Sequence, residues 1–187
     1  KVKATNLKSR SIGLGVMGEA EMLADYKLVW GSNEHFKKID QIMEAISYNA
    51  IKSSSELAIE KGIYPTFEGS KWSEGIMPHD HAPQSVNALV DKDLFDASYD
   101  WDSLRTKVKK DGMRNGYLMA VAPTSSISIL VGTTQAIEPV YKRKWFEENL
   151  SGLIPVVVPR LSPETWAYYT PAFEIDQLQV IKAAAIR

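Results

Sequence analysis

The part of this sequence best suited to holding a ligand is a turn rich in hydroxyl groups. Residues 122–128 read Ala-Pro-Thr-Ser-Ser-Ile-Ser and follow the apolar run Tyr117–Ala122. If a helix opens near Ser125, its first backbone amides lack internal partners and point toward one spot. The helix dipole adds positive potential there, and threonine and serine hydroxyls can donate further hydrogen bonds. Pro123, Thr124, Ser125, Ser126 and Ile127 could therefore hold a phosphate without any lysine. The same residue types also make an ordinary N-cap. The β-branched Ile127, Ile129 and Val131 would also permit a strand.

Three other clusters invite chemistry, and each has a plainer explanation. Gly13-Leu14-Gly15-Val16-Met17-Gly18 matches the GxGxxG pattern of dinucleotide-binding folds. That pattern is specific only after a clear buried strand, and Asn6-Leu7-Lys8-Ser9-Arg10-Ser11 makes a poor one. Glycines serving a structural strand-to-helix turn are the preferred reading. His79-Asp80-His81 could ligate zinc or iron, but adjacent ligands in a loop need further partners. His35, the remaining histidine, is expected on the solvent side of a long helix. No metal site is assigned. Glu138-Pro139 puts a carboxylate in a turn near the same strand ends, and Lys142-Arg143-Lys144 reads as a solvated charged edge. Trp145, Trp166, Tyr168 and Tyr169 are expected in core or interface.

The elements that must position these residues follow from periodicity. Residues 1–11 show no pattern and read as a strand remnant or linker. A short helix is expected through Glu21, Leu23 and Leu28, and a long one from Asn33 to a stop at Gly62. Phe36, Ile39, Met43, Ile46, Ala50 and Leu57 should form its apolar face. Residues 64–98 read as a long irregular excursion, of the kind that usually serves a function or packs on a neighbour. A helix near Asp100 should show Trp101, Leu104 and Val108 on one face and end at Gly112. The run Tyr117–Ala122 predicts a strand buried on both sides. Ile137–Trp145 and Leu153–Val158 are expected to be extended, and Ser162-Pro163-Glu164 to start a short helix. A last helix over Glu174–Arg187 should carry Ile175, Leu178, Ile181 and Ala185 on one face. An apolar face cut off at a chain end suggests a fragment.

The composition narrows the function classes. With 22 basic and 23 acidic side chains the net charge is −1, so no general attraction to nucleic acid or anionic membrane exists and any anion site is local. The 187 residues contain no cysteine, which excludes disulfides, thiolate metal sites and thiol chemistry within this chain. Neither a signal-peptide core nor an apolar run long enough for a membrane span is present, so a cytoplasmic protein is expected.

Taken together, four segments resemble the large subunit of ribonucleotide reductases. Ser11–Gly18 resembles a glycine-rich segment beyond that family's active-site cysteines. Thr66-Phe67-Glu68-Gly69-Ser70 resembles its long-helix exit. Gly112-Met113-Arg114-Asn115 with Ala120–Ser126, followed by Ile137-Glu138-Pro139, resembles its strand, phosphate turn and following strand. Order and spacing agree across nearly the whole chain. The wording of Val121–Glu138 and of Trp145–Leu150 looks like bacterial class I, with class II left open.

The resemblance implies an α/β fold, a fragment of the family's ten-stranded α/β barrel with long helices. Residues 1–187 would form a partial barrel domain without an internal boundary. It implies that Pro123, Thr124, Ser125, Ser126 and Ile127 face the substrate phosphates in reduction of ribonucleoside diphosphates to deoxyribonucleotides. Many relatives have a hydroxyl residue where this chain has Ile127, so that contact falls to the backbone amide. The family's radical and redox cysteines are absent, so the chain has no catalytic residue of its own and is expected to be inactive alone. Tyr168-Tyr169 should not act as the family's radical relay. The whole enzyme would need a radical generator (a dimetal small subunit) and an external thiol reductant. Expected partners are the remainder of the large subunit, a second large subunit and the small subunit. If the chain is one product of a split gene, a large apolar interface should exist. The alternatives are an NAD(P)-dependent oxidoreductase using Gly13, Gly15 and Gly18, or a non-catalytic phosphate-binding module.

Overall fold

The computed structural model describes residues 2–81, 97–150 and 152–186. Its helices are α1 (Val2–Ser9), α2 (Glu19–Asp25), α3 (Asn33–Lys61), α4 (Lys71–Glu74), α5 (Trp101–Asp111), α6 (Ser125–Val131) and α7 (Gln177–Ile186). One antiparallel hairpin pairs β1 (Lys144–Asn149) with β2 (Gly152–Val157). The chain divides into two compact units, one of residues 1–14, 39–120 and 185–187, the other of residues 15–38 and 121–184.

In the first unit, α3 and α5 meet over a core of Ile51, Leu104, Val108, Tyr64, Phe67, Met77, Met113 and Leu118. Leu104 and Val108 stand one turn apart, which gives α5 its single apolar face. Asp100 caps α5 by accepting from the Ser103 amide, and Gly112 ends it with φ 75°. Both ends were predicted. The exit of α3 is also as expected at Gly62, and the Arg114 guanidinium adds bonds to the last carbonyls, Lys61 O and Gly62 O, at 2.6 and 2.9 Å. Asn115 locks the following segment, since its amide donates to Ser54 Oγ and its side chain to Arg10 O.

Several expectations need correction. Residues 2–9 are helical, and α1 buries no residue, so it has no apolar face for periodicity to detect. The short helix α2 stops at Asp25, before Leu28. Ser32, rather than Asn33, caps α3: its hydroxyl accepts from the His35 amide at 3.1 Å. Beyond Met43 the buried face of α3 continues through Ile51, Ser54, Ser55 and Ala58, while Ala50 and Leu57 are only half-buried. Within the excursion 64–98, Tyr64 and Phe67 are core residues, Ser70 caps α4 and Pro78–His81 form a 3-10 turn; residues 82–96 lie outside the described residues.

The run Tyr117–Ala122 is not a strand buried on both sides. Its early part pairs in parallel with residues 12–14, through Ile12 N–H to Tyr117 O, Leu14 N–H to Leu118 O and Ala120 N–H to Leu14 O. Leu118 is buried, whereas Tyr117 is 69% exposed. Burial on both faces needs packing layers on both faces, and here only Leu118 is buried in the core, with Met119 half-buried against it. Among the described residues no barrel closes, and the one two-stranded sheet is the hairpin. Its first strand begins at Lys144, so Ile137–Arg143 is a turn and irregular run rather than an extended segment. Pro155 is tolerated because each strand of a two-stranded sheet is an edge.

In the second unit, Ala20, Ala24, Val140, Val158 and Tyr169 form the core, with Trp145, Leu161 and Tyr168 packed against it. Burial pushes the Tyr169 hydroxyl well above its ordinary range, and it donates to Pro159 O at 2.6 Å. Trp166 is exposed and lies under the Arg143 guanidinium. Ser162 does cap the turn that follows it, which leads into a single 3-10 turn, Trp166–Tyr168. In α7 the inward position is Ala183, while Leu178 and Ile181, expected on one apolar face, are exposed.

Candidate functional site

Helix α6 does open at Ser125, so the strand alternative for Ile127, Ile129 and Val131 fails. Thr124 precedes it with φ 50° and ψ 25°, in the left-handed region. A β-branched residue pays about 1–2 kcal/mol for that conformation. The compensation is visible: Thr124 Oγ1 accepts from the Ala136 amide at 2.8 Å, instead of capping its own helix. The first helical bond runs from Ser128 N–H to Thr124 O. The amides of Ser125, Ser126 and Ile127 come before that bond and point out of the helix start. Pro123, Ser125, Ser126 and Ile127 are exposed, Thr124 is half-buried, and no acidic residue lies in the first turn. The helix dipole there is thus unopposed by a neighbouring carboxylate on α6.

The far end of α6 is equally well defined. Gly132 takes φ 80°, and Thr133 N–H reaches back to Ser128 O while Gly132 N–H reaches Ile129 O, the paired bonds of a Schellman motif. Ser128 is the one buried residue of α6, its hydroxyl donating to Ser125 O. Ile129, Leu130 and Val131 are exposed. A cavity of about 170 Å³ lies beside this end, lined by Ser128, Thr133, Glu138, Tyr141, Trp145 and Val156 among others. Glu138 therefore faces this cavity, and residues 123–127 do not line it.

The glycine-rich segment is built differently from a dinucleotide fold. Helix α1 precedes it, and Gly13 sits inside the paired stretch, where an added Cβ would come 2.8 Å from the Ala120 Cβ. Gly18 precedes α2 with φ 87° and no side-chain cap. The amides at that helix start are already engaged: Gly18 N–H donates to Thr134 O, Glu19 N–H to Ala136 O and Glu21 N–H to Thr134 Oγ1. Glu19 and Glu21 are themselves buried there. A pyrophosphate at this position would meet two buried carboxylates and find its amide donors taken. The glycines serve close packing and a left-handed turn.

His35 corrects an expectation. It is fully buried rather than on the solvent side of α3. Its Nδ1 accepts from the Gly31 amide at 2.8 Å, which leaves Nε2–H to donate to Glu19 Oε1 at 3.0 Å. Sequence reasoning also missed Glu21, Thr133 and Thr134. Two acids directly after Gly18 were the available signal, but the hydroxyl partner of Glu21 stands 112 residues away.

The His79-Asp80-His81 cluster is occupied by structural bonds where it is described. Asp80 takes both terminal nitrogens of Arg105, at 2.6 and 3.2 Å, and accepts from the Met77 amide. The Arg105 hydrogen bond is the main reason its carboxyl is held down at about 2. His79 lies edge-on to Trp101. Among the described residues no group of three His, Cys, Asp or Glu side chains could hold a metal ion.

Comparison with known proteins agrees with the resemblance read from the sequence. The family model for the barrel domain of ribonucleotide reductase matches residues 1–187. The chain is 65% identical over its whole length to the ribonucleoside-diphosphate reductase subunit alpha of two Helicobacter pylori strains, covering 24% of each relative. It is 41% identical to the subunit alpha of Treponema pallidum, over 99% of the chain and 20% of the relative. The Synechocystis subunit alpha is 33% identical, over 98% of the chain and 23% of the relative. The chain thus spans about a quarter or less of the length of these curated relatives, and it belongs to the ribonucleotide reductase barrel-domain family.

Proposed function

We propose that this chain is part of a ribonucleoside-diphosphate reductase large subunit, in which Pro123, Thr124, Ser125, Ser126 and Ile127 hold the substrate phosphates. The observation that carries this is the start of α6: three successive first-turn amides, two serine hydroxyls and no carboxylate, all at the surface. Ile127 contributes through its amide alone. Glu138 faces the neighbouring cavity and takes no part in this cradle.

The relatives' printed names describe a reductase of ribonucleoside diphosphates, and transfer of that activity here is our reading. The chain supplies scaffold and phosphate binding. With no cysteine it has no thiol to carry a thiyl radical or to reduce a substrate, and among its described residues no group of three His, Cys, Asp or Glu side chains could hold a metal ion. The radical generator and thiol reductant would act elsewhere in the assembled enzyme. The family model runs unbroken over both units, which supports reading residues 1–187 as part of one barrel domain. The exposed Ile129, Leu130 and Val131 of α6, with Leu178 and Ile181 of α7, support packing against the rest of the large subunit.

Calorimetric titration with a ribonucleoside diphosphate tests this reading. Changing Ser125 and Ser126 together to alanine should weaken binding by on the order of 1–3 kcal/mol, with little change in thermal stability. Equal affinity for the original chain and the double variant would sink the assignment.

A further inference from the structure

The left-handed Thr124 is held by a bond to a segment that is itself fastened at four points. Ala136, whose amide supports Thr124 Oγ1, has φ 35° and is strained in its own right. A residue so placed does not stay there without external constraint. The constraint comes from α2. Glu19 N–H donates to Ala136 O, Gly18 N–H to Thr134 O, and Glu21 N–H to Thr134 Oγ1. The Glu21 carboxylate closes the set, accepting from Thr133 Oγ1 at 2.5 Å and pairing with Arg160 Nε at 3.2 Å. Behind it, buried His35 fixes Glu19.

We propose that Glu21, Thr133 and Thr134 are positioning residues for the phosphate turn, holding Ala136 where it keeps Thr124 left-handed and the α6 amides open. This rests for its purpose on the phosphate reading above, but its geometry is independent of it. The side chain of Glu21 is only 10% exposed, and the partners it accepts from are few. Removing the Thr133 hydroxyl strands part of a nearly buried carboxylate, which must then draw in water or shift. Either response loosens residues 133–136. Thr124, released from Ala136, can relax to an ordinary conformation and turn its hydroxyl to cap its own helix. That relaxation places a side chain over the amides a phosphate needs.

The test uses the 187-residue chain and two readouts. Amide hydrogen exchange is followed at Ala136, with α5 amides as the folding control, and inorganic pyrophosphate is titrated against the Ser125 and Ser126 amide signals. Thr133→Val should speed exchange at Ala136 about tenfold and weaken pyrophosphate about tenfold, both corresponding to loss of roughly one hydrogen bond. Thr133→Ser, which keeps the hydroxyl, should restore both, a rescue that simple loss of packing does not give. Should the valine variant lose protection in α5 as well, Glu21→Leu, which removes the acceptor of the Thr133 hydroxyl, decides the matter in its place, with the same expected changes. Wild-type exchange at Ala136 in a folded Thr133→Val or Glu21→Leu variant overturns the positioning role. If the unaltered chain binds no pyrophosphate, the phosphate reading fails, and the positioning role stands or falls on the Ala136 exchange.

Discussion

Two helices of the second unit begin alike and end up with opposite chemistry. Both α2 and α6 follow a residue in the left-handed region, Gly18 and Thr124, and neither has a side-chain cap. At α2 the amides donate to Thr134 and Ala136, and Glu19 and Glu21 fill the positive end with buried negative charge. At α6 the first-turn residues are exposed and carry no acid. The glycine motif that most resembles a phosphate binder is therefore the closed one. A helix start binds an anion only if its amides are still available and its field is not already neutralised.

The sharpest break of this comparison is His35→Ala. It should leave Glu19 short of its buried donor and open a cavity, and we expect about 2–4 kcal/mol of lost stability in denaturant titration. Pyrophosphate binding should weaken only through the turn. Gly18→Ala comes next. Its Cβ would stand 2.5 Å from Thr133 Oγ1 at a φ of 87°, and thermal melting should report about 1–3 kcal/mol of destabilisation. Ser126→Asp makes α6 resemble α2 by placing a carboxylate in its first turn. It should raise stability by about 0.3–1 kcal/mol while abolishing pyrophosphate binding, so that stability and affinity move in opposite directions.

The smallest expected effect is a control away from both helix starts. Burial, and then the neighbouring Glu44 carboxylate, raise the Asp40 carboxyl from 3.8 to about 6. The folded state thus holds that proton more tightly than the unfolded chain does. Its contribution to stability is present below pH 4 and is lost as pH rises through 6. Asp40→Asn should accordingly raise stability at pH 7, by less than about 1 kcal/mol given its partial exposure, seen as a higher melting temperature, with the gain vanishing near pH 4. A gain equal at both pH values would contradict the sign.

How much of this was legible in the sequence depended on whether the causes were local. Asp100 and Gly112 bound α5 because a cap and a stop act within a few residues. The same holds for Gly62 and for the start of α6. Helix α1 was missed because it has no buried face, so no periodicity records it. His35 was put on the wrong side because its burial depends on Glu19 and Gly31, and on Trp30, whose ring lies tilted against its own. The run Tyr117–Ala122 reads as doubly buried from its apolarity, yet burial is a property of neighbours, and Tyr117 has few. The phosphate turn was legible as a residue pattern. What keeps Thr124 strained and the amides open was not, since Thr134 and Ala136 are held by Glu21 and its neighbours from a distant stretch of chain.

Residue-resolved titration with pyrophosphate bears most directly on the contrast between the two helix starts. The amide signals of Ser125, Ser126 and Ile127 should shift with a common saturation curve, while those of Gly18, Glu19 and Glu21 stay in place. Shifts centred on α2, or none at α6, would contradict the account.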